Sequence, residues 1–444
     1  MTGAFAISPE WTDFGGGAPV DLTSALLRVE VAGHVATRAE NTWSRTLQEA
    51  PHLLALPLAR WLAHSWWRLR WEPAPAFARP GLGWRMAHEL PAAGEGFIWP
   101  RLTLEGDGEG VLARCRPSRS RQREPLRYVS YFDERVPAAD FERGVDDFIG
   151  LVLERLAELG ARDGGGLRDL WGEVGAERAD PAASQYRTFE ALLGHDPDEA
   201  PEALVAELVA LADRAGGQTA VELAAACAGP HPARGLSAFA GLAASHDGVA
   251  GRPMQDAPDL LPVAERPSAS DLPPPPWELG RRVASGTRDM LNLPPDRPLP
   301  DDSLAALLGI APSALQAGSS PAAGAGFGVG VRVAGDEGVR LLFRRRARSG
   351  RRFEAARFVY DALRAAPDQW LFTSDTKTAR QRAQRSFAAE LLHPIAGLDA
   401  FLQGDFSPSA TDRAARHYVS GPLTIRSQLA NHGRIERDQI AAAA

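Results

Sequence analysis

Four consecutive prolines, Pro273 to Pro276, close a stretch from residue 229 that is rich in Pro, Gly, Ala and Ser. Proline fixes φ and has no N–H to donate, so a run of four cannot sit inside a helix or a central strand. It favours an extended, semi-rigid spacer. A chain of 444 residues is in any case too long for one ordinary core. The tract therefore divides the chain into four expected parts. These are an α+β domain over 1–160, a helical unit over 161–228, a linker over 229–276 and a C-terminal domain over 277–434. The expected class is multidomain α+β.

Composition limits the function. Hydrophobic residues make up 44% and charged residues 24%, as in soluble globular proteins. A net charge of -7 argues against general nucleic-acid binding by the whole chain. The basic residues are arginines apart from Lys377, a bias that fits a GC-rich bacterial genome. Cys115 and Cys227 lie far apart and match neither a disulfide framework nor a metal motif, which points to a reducing cytoplasm. The N-terminus lacks a basic region followed by an apolar one. The longest apolar run, Leu53 to Ala63, is broken by Pro57 and Arg60 and is too short to span a bilayer. No membrane association is expected.

Periodicity places the elements. Leu27, Val29 and Val31 alternate as in a strand, and a helical period runs from Leu53 to Trp71. That helix carries Trp61, Trp66, Trp67 and Trp71, together with Arg60, Arg68 and Arg70. A base-stacking platform is one reading, and a core or domain interface is the expected one. Asp107-Gly108 marks a hairpin between Phe97 and Pro117. A short strand is expected over Tyr128–Phe132 and a helix over Phe141–Leu159. His195-Asp196-Pro197-Asp198 reads as a turn before a helix that starts at Pro201. In the C-terminal domain, helices are expected over Trp277–Leu291 and from Asp301 to near Gly309. Strands are expected over Phe327–Val333 and Val339–Phe343, joined by a turn at residues 335–338. The alternating glycines from Gly324 to Gly330 lead into a strand, so they lack the helix N-terminus that a dinucleotide fingerprint needs.

The chemistry centres on Arg352 to Pro394. A His-Glu-x-x-His helix places two imidazoles four residues apart on one face, where they can share a zinc ion. The intervening Glu takes the proton from a zinc-bound water. No such motif occurs in the chain, since His88-Glu89 is followed by Leu90-Pro91. Yet Arg352, Phe353 and Ala356, and then the phrase Phe387-Ala388-Ala389-Glu390-Leu391-Leu392 up to Pro394, keep the frame around such a site. Residues 277–434 resemble the ImmA/IrrE metallo-endopeptidases, whose Arg-Phe-x-x-Ala-His-Glu-x-x-His helix precedes a similar second helix. The resemblance implies a mainly helical zincin-like domain with a small sheet. It puts Arg357 at the first His, Phe358 at the Glu base and Asp361 at the second His. Gln381 or Ala383 takes the place of the third ligand. A guanidinium has no lone pair to give and a phenyl ring is no base, so catalytic residues and zinc are expected to be absent.

ImmA/IrrE proteins cleave repressors and other transcription factors in stress, mobile-element and phage-defence settings. The resemblance thus implies a pseudo-metallopeptidase that binds such a protein partner as a regulatory module. Arg352, Arg357, Asp361, Gln381 and Glu390 are its candidate cleft residues, and Arg357 and Asp361 are spaced to form an ion pair. One alternative is an active zinc endopeptidase in which Asp361 and Glu390 are joined by His393 or His417. Another is a DNA-binding regulator. Arg344, Arg345, Arg346, Arg348 and Arg351 are candidate contacts for nucleic acid or another anion. Residues 412–434 read as a helix-turn-helix offering Thr424, Arg426, Gln428 and Asn431.

Overall fold

The computed structural model describes residues 4–13, 15–76, 79–94, 96–119, 125–161, 166–229, 231–254, 274–332, 338–366 and 369–440. The fold is α+β, with many helices and, among the described residues, four small sheets. It divides into two units, residues 1–209 and 210–444.

In the first unit β2 (Ser24–Val31) is flanked by β1 (Phe5–Trp11), β3 (His34–Val35) and β6 (His52–Leu54), all antiparallel. A smaller sheet joins β4 (Ala39–Asn41) to β5 (Thr46–Gln48) and β9 (Leu126–Tyr128). A third places β8 (Gly110–Arg116) between β7 (Arg101–Gly106) and β10 (Phe132–Pro137). The hairpin turn is as expected, with Asp107 Oδ1 accepting from the N–H groups of Glu109 and Gly110. The helices are α1 (Ala55–Trp71), α2 (Leu82–His88), α3 (Ala138–Glu158), α4 (Leu167–Ala179) and α5 (Pro181–Leu192). Alternate residues of β1 and β2 and one face each of α1 and α3 bury a shared core, from Phe5, Leu27 and Val29 to Leu62, Phe141 and Phe148. Gly144 lets α3 approach β1: a Cβ there would stand 2.3 Å from the carbonyl oxygen of Phe5. Trp61, Trp66 and Trp67 are buried, and Trp66 stacks on Phe141. The aromatic cluster of α1 is therefore core. Residues 128–132, expected as one strand, instead end β9 and begin β10. The three residues between them belong to neither strand, and Val129 and Tyr131 are exposed.

Helix α6 (Glu202–Ala215) carries the division between the units. The second unit continues with α7 (Gly217–Cys227), α8 (Pro232–Ala244) and β11 (Val249–Gly251). This overturns the linker reading over its first half. The Ala- and Gly-rich sequence suggests a spacer, but Leu236, Phe239 and Leu242 give α8 a buried face, and β11 pairs with a strand of the C-terminal sheet. The tract's remainder, 255–273, lies outside the described residues, and Pro276 opens the next helix at its first turn.

That helix, α9 (Pro276–Met290), is followed by α10 (Asp301–Leu308), β12 (Phe327–Arg332), β13 (Val339–Leu342), α11 (Arg348–Arg364), β14 (Leu371–Ser374) and α12 (Ala379–Leu392). The sheet runs β11-β13-β12-β14, antiparallel throughout. Most of the β12–β13 turn lies outside the described residues. Helix α9 lies close along α12, where a Cβ on Gly280 would stand 2.2 Å from the carbonyl oxygen of Ala383. The last helices, α13 (Ile395–Leu402), α14 (Pro408–His417) and α15 (Pro422–Asn431), close a small separate core around Leu398, Tyr418, Ile425 and Leu429. Both cysteines are free and buried. Among the described residues no helix is long and apolar enough to cross a membrane.

Candidate functional site

Strand β14 is an edge strand. Its ladder with β12 pairs Gly328 with Thr373 and Gly330 with Leu371. Neighbouring residues of a strand turn their backbone groups to opposite edges. The peptide groups of Phe372 and Ser374 accordingly face away from β12, buried and in need of partners. Side chains of α11 and α12 supply them. The Phe372 N–H donates to Asp361 Oδ2 (2.8 Å), and the Ser374 N–H donates to Gln381 Oε1 (2.8 Å). The Phe372 carbonyl accepts from Gln381 Nε2 (3.2 Å) and Gln384 Nε2 (2.9 Å). The Ser374 carbonyl accepts from Arg357 Nη2 (2.5 Å), which also donates to Gln381 Oε1.

The positions that mark the sequence motif thus close the edge of a sheet. Their helical spacing puts Arg357 and Asp361 on one face, but the ion pair expected between them does not form. Asp361 takes its cation from α12 instead: Arg380 Nε and Nη2 bind its two oxygens at 2.6 and 2.7 Å. Gln384 Nε2 adds a further bond to Oδ1 (2.8 Å). The bidentate fork explains the choice, because a guanidinium pairs most strongly with both oxygens at once. Arg357 is left with a carbonyl, an amide oxygen and, 4.0 Å away, Asp375. Burial, together with the neighbouring Arg344 and Arg385, holds its pKa well below the ordinary arginine range. Burial favours the neutral form of Asp375, but Arg344 binds it through two bonds of 2.7 Å and holds its pKa below the usual range.

Two buried acids flank this row. Glu354 accepts from the N–H groups of Arg344 and Arg345 at 3.0 and 3.1 Å, which fixes the loop before α11. Glu222 of α7 accepts the Thr378 hydroxyl on both oxygens at 2.9 Å. Burial raises the pKa of each, against the opposing pull of Arg344 on Glu354 and of Arg380 on Glu222.

These residues do not fit a zinc centre. Arg357 cannot ligate. Phe358 is wholly buried and packs edge-on against Phe343. The oxygens of Asp361 already accept four hydrogen bonds, from Arg380, Gln384 and the Phe372 N–H. Among the described residues no group of three or more His, Cys, Asp and Glu is placed to hold a metal ion. The other ligand set considered is dispersed in its contacts. Glu390 accepts from Gln428 of α15 (2.8 Å), His417 stacks on Phe401, and His393 is buried with neither ring nitrogen hydrogen-bonded. None of the three is a partner of Asp361.

The candidate cleft residues therefore occupy three places. Arg357, Asp361 and Gln381 meet at the β14 edge. Arg352, at the start of α11, binds Asp301 and the Leu299 carbonyl, and Glu390 binds α15. The arginine-rich stretch is likewise not one anion-binding face. Arg344 is nearly buried on Asp375, and Arg351 is buried on the carbonyls of Ala314, Ser319 and Arg345. Arg345 and Arg348 are half-exposed on Asp375 and Asp301, and Arg346 is exposed. In α15, Arg426 and Gln428 point inward, to Thr411 and Glu390, while Thr424 is partly exposed and Asn431 exposed.

Sequence reasoning missed β14, and with it Arg380, Gln384, Thr378 and Glu222. The signal for the strand was there: Trp370-Leu371-Phe372-Thr373 is a short run of strand-favouring residues in what reads as a loop. Comparison with protein-family models, curated proteins and solved structures finds no match to this chain.

Proposed function

We propose that residues 277–434 form a zincin-like domain of ImmA/IrrE type that has lost its zinc chemistry. It serves as a regulatory or binding module for a repressor or other transcription factor in the bacterial cytoplasm, in a stress, mobile-element or phage-defence setting. The arrangement supports this reading, since α11 and the Phe-Ala-Ala-Glu-Leu-Leu helix α12 lie together around the motif positions. The observation that carries it is the commitment of Asp361, the one residue of the three able to bind a metal. Its carboxylate is consumed by Arg380, Gln384 and the Phe372 N–H. A ligand for zinc would have to leave all three unpaired. The inward-turned Arg426 and Gln428 give the DNA-binding alternative little to work with.

The test is metal content of the purified full chain by plasma mass spectrometry, beside Asp361→Ala, with melting measured before and after a strong chelator. The expected result is zinc far below one per chain and no shift on chelation. Zinc near one per chain, lost in the variant and stabilising the wild type, would overturn the proposal and restore the peptidase.

A further inference from the structure

The first unit carries a cleft of about 480 Å³ between the β2–β3 hairpin and the segment that links β9 to β10. That volume lies within the range of small-molecule sites. We infer that it binds a small organic anion bearing a flat ring, the shared chemistry of mononucleotides and aromatic carboxylates. This inference does not rest on the reading of residues 277–434.

Charge selects the anion. Two guanidiniums line the cleft, those of Arg28 and Arg38. Arg28 is spent: it binds Glu30 at 2.8 Å and also Glu49, which lines the cleft beside it. Arg38 is different. Its backbone is pinned, with its carbonyl accepting from the Val129 N–H (3.0 Å) and its N–H donating to the Val35 carbonyl (3.4 Å). Its side chain is exposed and, among the described residues, has no hydrogen-bonding or ionic partner. Arg28 is shared between two carboxylates, Glu30 and Glu49, and Arg38 is the guanidinium of the cleft left without a carboxylate among the described residues. A fork of donors held on a fixed backbone suits a carboxylate or phosphate.

The aromatic side chains select the ring. Tyr131 stands 72% exposed at the cleft, far more than packing requires of a tyrosine, and Arg116 lies over its ring at 4.6 Å. His34 stacks on Phe132 with ring centroids 5.3 Å apart, which holds a second flat surface at the cleft. The Nε2 of His34 is already engaged by Glu134 at 3.3 Å, so the anion falls to Arg38. Val35 and Val129 complete an apolar side. The Ser130 hydroxyl is already used on the Val35 carbonyl (2.5 Å), so it shapes the wall and does not bind.

The experiment is calorimetric titration of the full chain with adenosine 5′-monophosphate, benzoate and inorganic phosphate. Arg38→Gln and Tyr131→Ala are titrated in parallel, and because both side chains are exposed, both variants keep the fold. At least one ring-bearing anion is expected to bind at millimolar concentration or below, more tightly than phosphate. Each variant should weaken it by about tenfold or more, the loss of a charged hydrogen bond or of a stacking face. Binding of the nucleotide alone or of benzoate alone identifies which anion the cleft prefers, and both results support the site. Failure of both to bind, equal binding of inorganic phosphate, or wild-type affinity in either variant would overturn the inference.

Discussion

Replacing Asp361 with alanine tests whether the polar side chains of α11 and α12 hold the sheet edge. The substitution removes a carboxylate that is almost wholly buried. It leaves the Arg380 guanidinium without its partner and the Phe372 N–H without an acceptor. Breaking a buried ion pair by deleting one member costs about 3–5 kcal/mol, because the other charge stays behind in a dry site. The Arg380 side chain keeps 14% exposure and can recover some hydration, which favours the lower end, about 3 kcal/mol. Burying an unpaired N–H costs about 1–3 kcal/mol on its own, but the two losses share one site and do not add. The assay is urea unfolding, combined with hydrogen exchange over residues 369–377. The second measurement reads β14 directly, and a loss of about 3 kcal/mol raises exchange about a hundredfold if opening of the edge controls it. Asp361→Asn, which keeps an acceptor for Phe372, should lose less. If Asp361→Ala stays within about 1 kcal/mol of wild type and exchange in β14 is unchanged, the side-chain closure is incidental and the reasoning fails.

Other perturbations follow from the same packing. Gly280→Ala should destabilise by about 1–3 kcal/mol in urea, since its Cβ would meet the backbone of Ala383 and Phe387 and force α9 off α12; a neutral result would mean that the helix pair tolerates separation. Burial raises the pKa of Glu222, so the folded state holds its proton more tightly than the unfolded chain. The stability this contributes is present at low pH and lost as pH rises through the folded pKa. Glu222→Gln should therefore gain on wild type as pH rises above the ordinary carboxylate range in chemical denaturation, and a constant difference would contradict this. His393 has the opposite sign: burial lowers its pKa to about 4. The unfolded chain takes up the proton first, so wild-type stability should fall by about 3 kcal/mol as pH drops from the ordinary histidine range towards the folded pKa. His393→Leu should remove that slope, and an unchanged slope would assign it to other groups.

What the sequence disclosed follows from how local each signal is. Alternation in β2, the turn residues at Asp107-Gly108 and the helical stripe from Phe141 are carried by neighbours in the chain, and all three were legible. So was the lack of a His-Glu-x-x-His motif, because it rests on residue types at fixed spacing. Long-range pairing was not. The match of Arg380 with Asp361, where spacing suggested Arg357, depends on how α12 crosses α11. The fate of the arginines depends on carbonyls such as those of Ala314 and Ser319, which composition does not reveal. The tract after residue 229 misled because Ala and Gly serve both spacers and close-packed helices. Only the spacing of Leu236, Phe239 and Leu242 separated the two.

The interdependence at β14 makes a sharper demand on the proposed history of the domain. Restoring the motif by Arg357→His, Phe358→Glu and Asp361→His would supply two imidazoles at the right helical spacing. It would also remove the carboxylate from Arg380, the donor from the Ser374 carbonyl and a buried ring from Phe343. The change at Phe358 would bring a carboxylate into a position that is wholly buried against another ring. Gln381 already accepts from the Ser374 N–H, and an amide is a poor third ligand for zinc. The triple variant is therefore expected to melt well below wild type and to retain no zinc after gel filtration. A chain that lost its ligands recently, by drift alone, would regain metal on this reversal. One in which Arg380, Gln381 and Gln384 have taken over the strand edge would not. Stoichiometric zinc with restored stability in the triple variant would show that these side chains are passive, and that the domain remains a metal site in waiting.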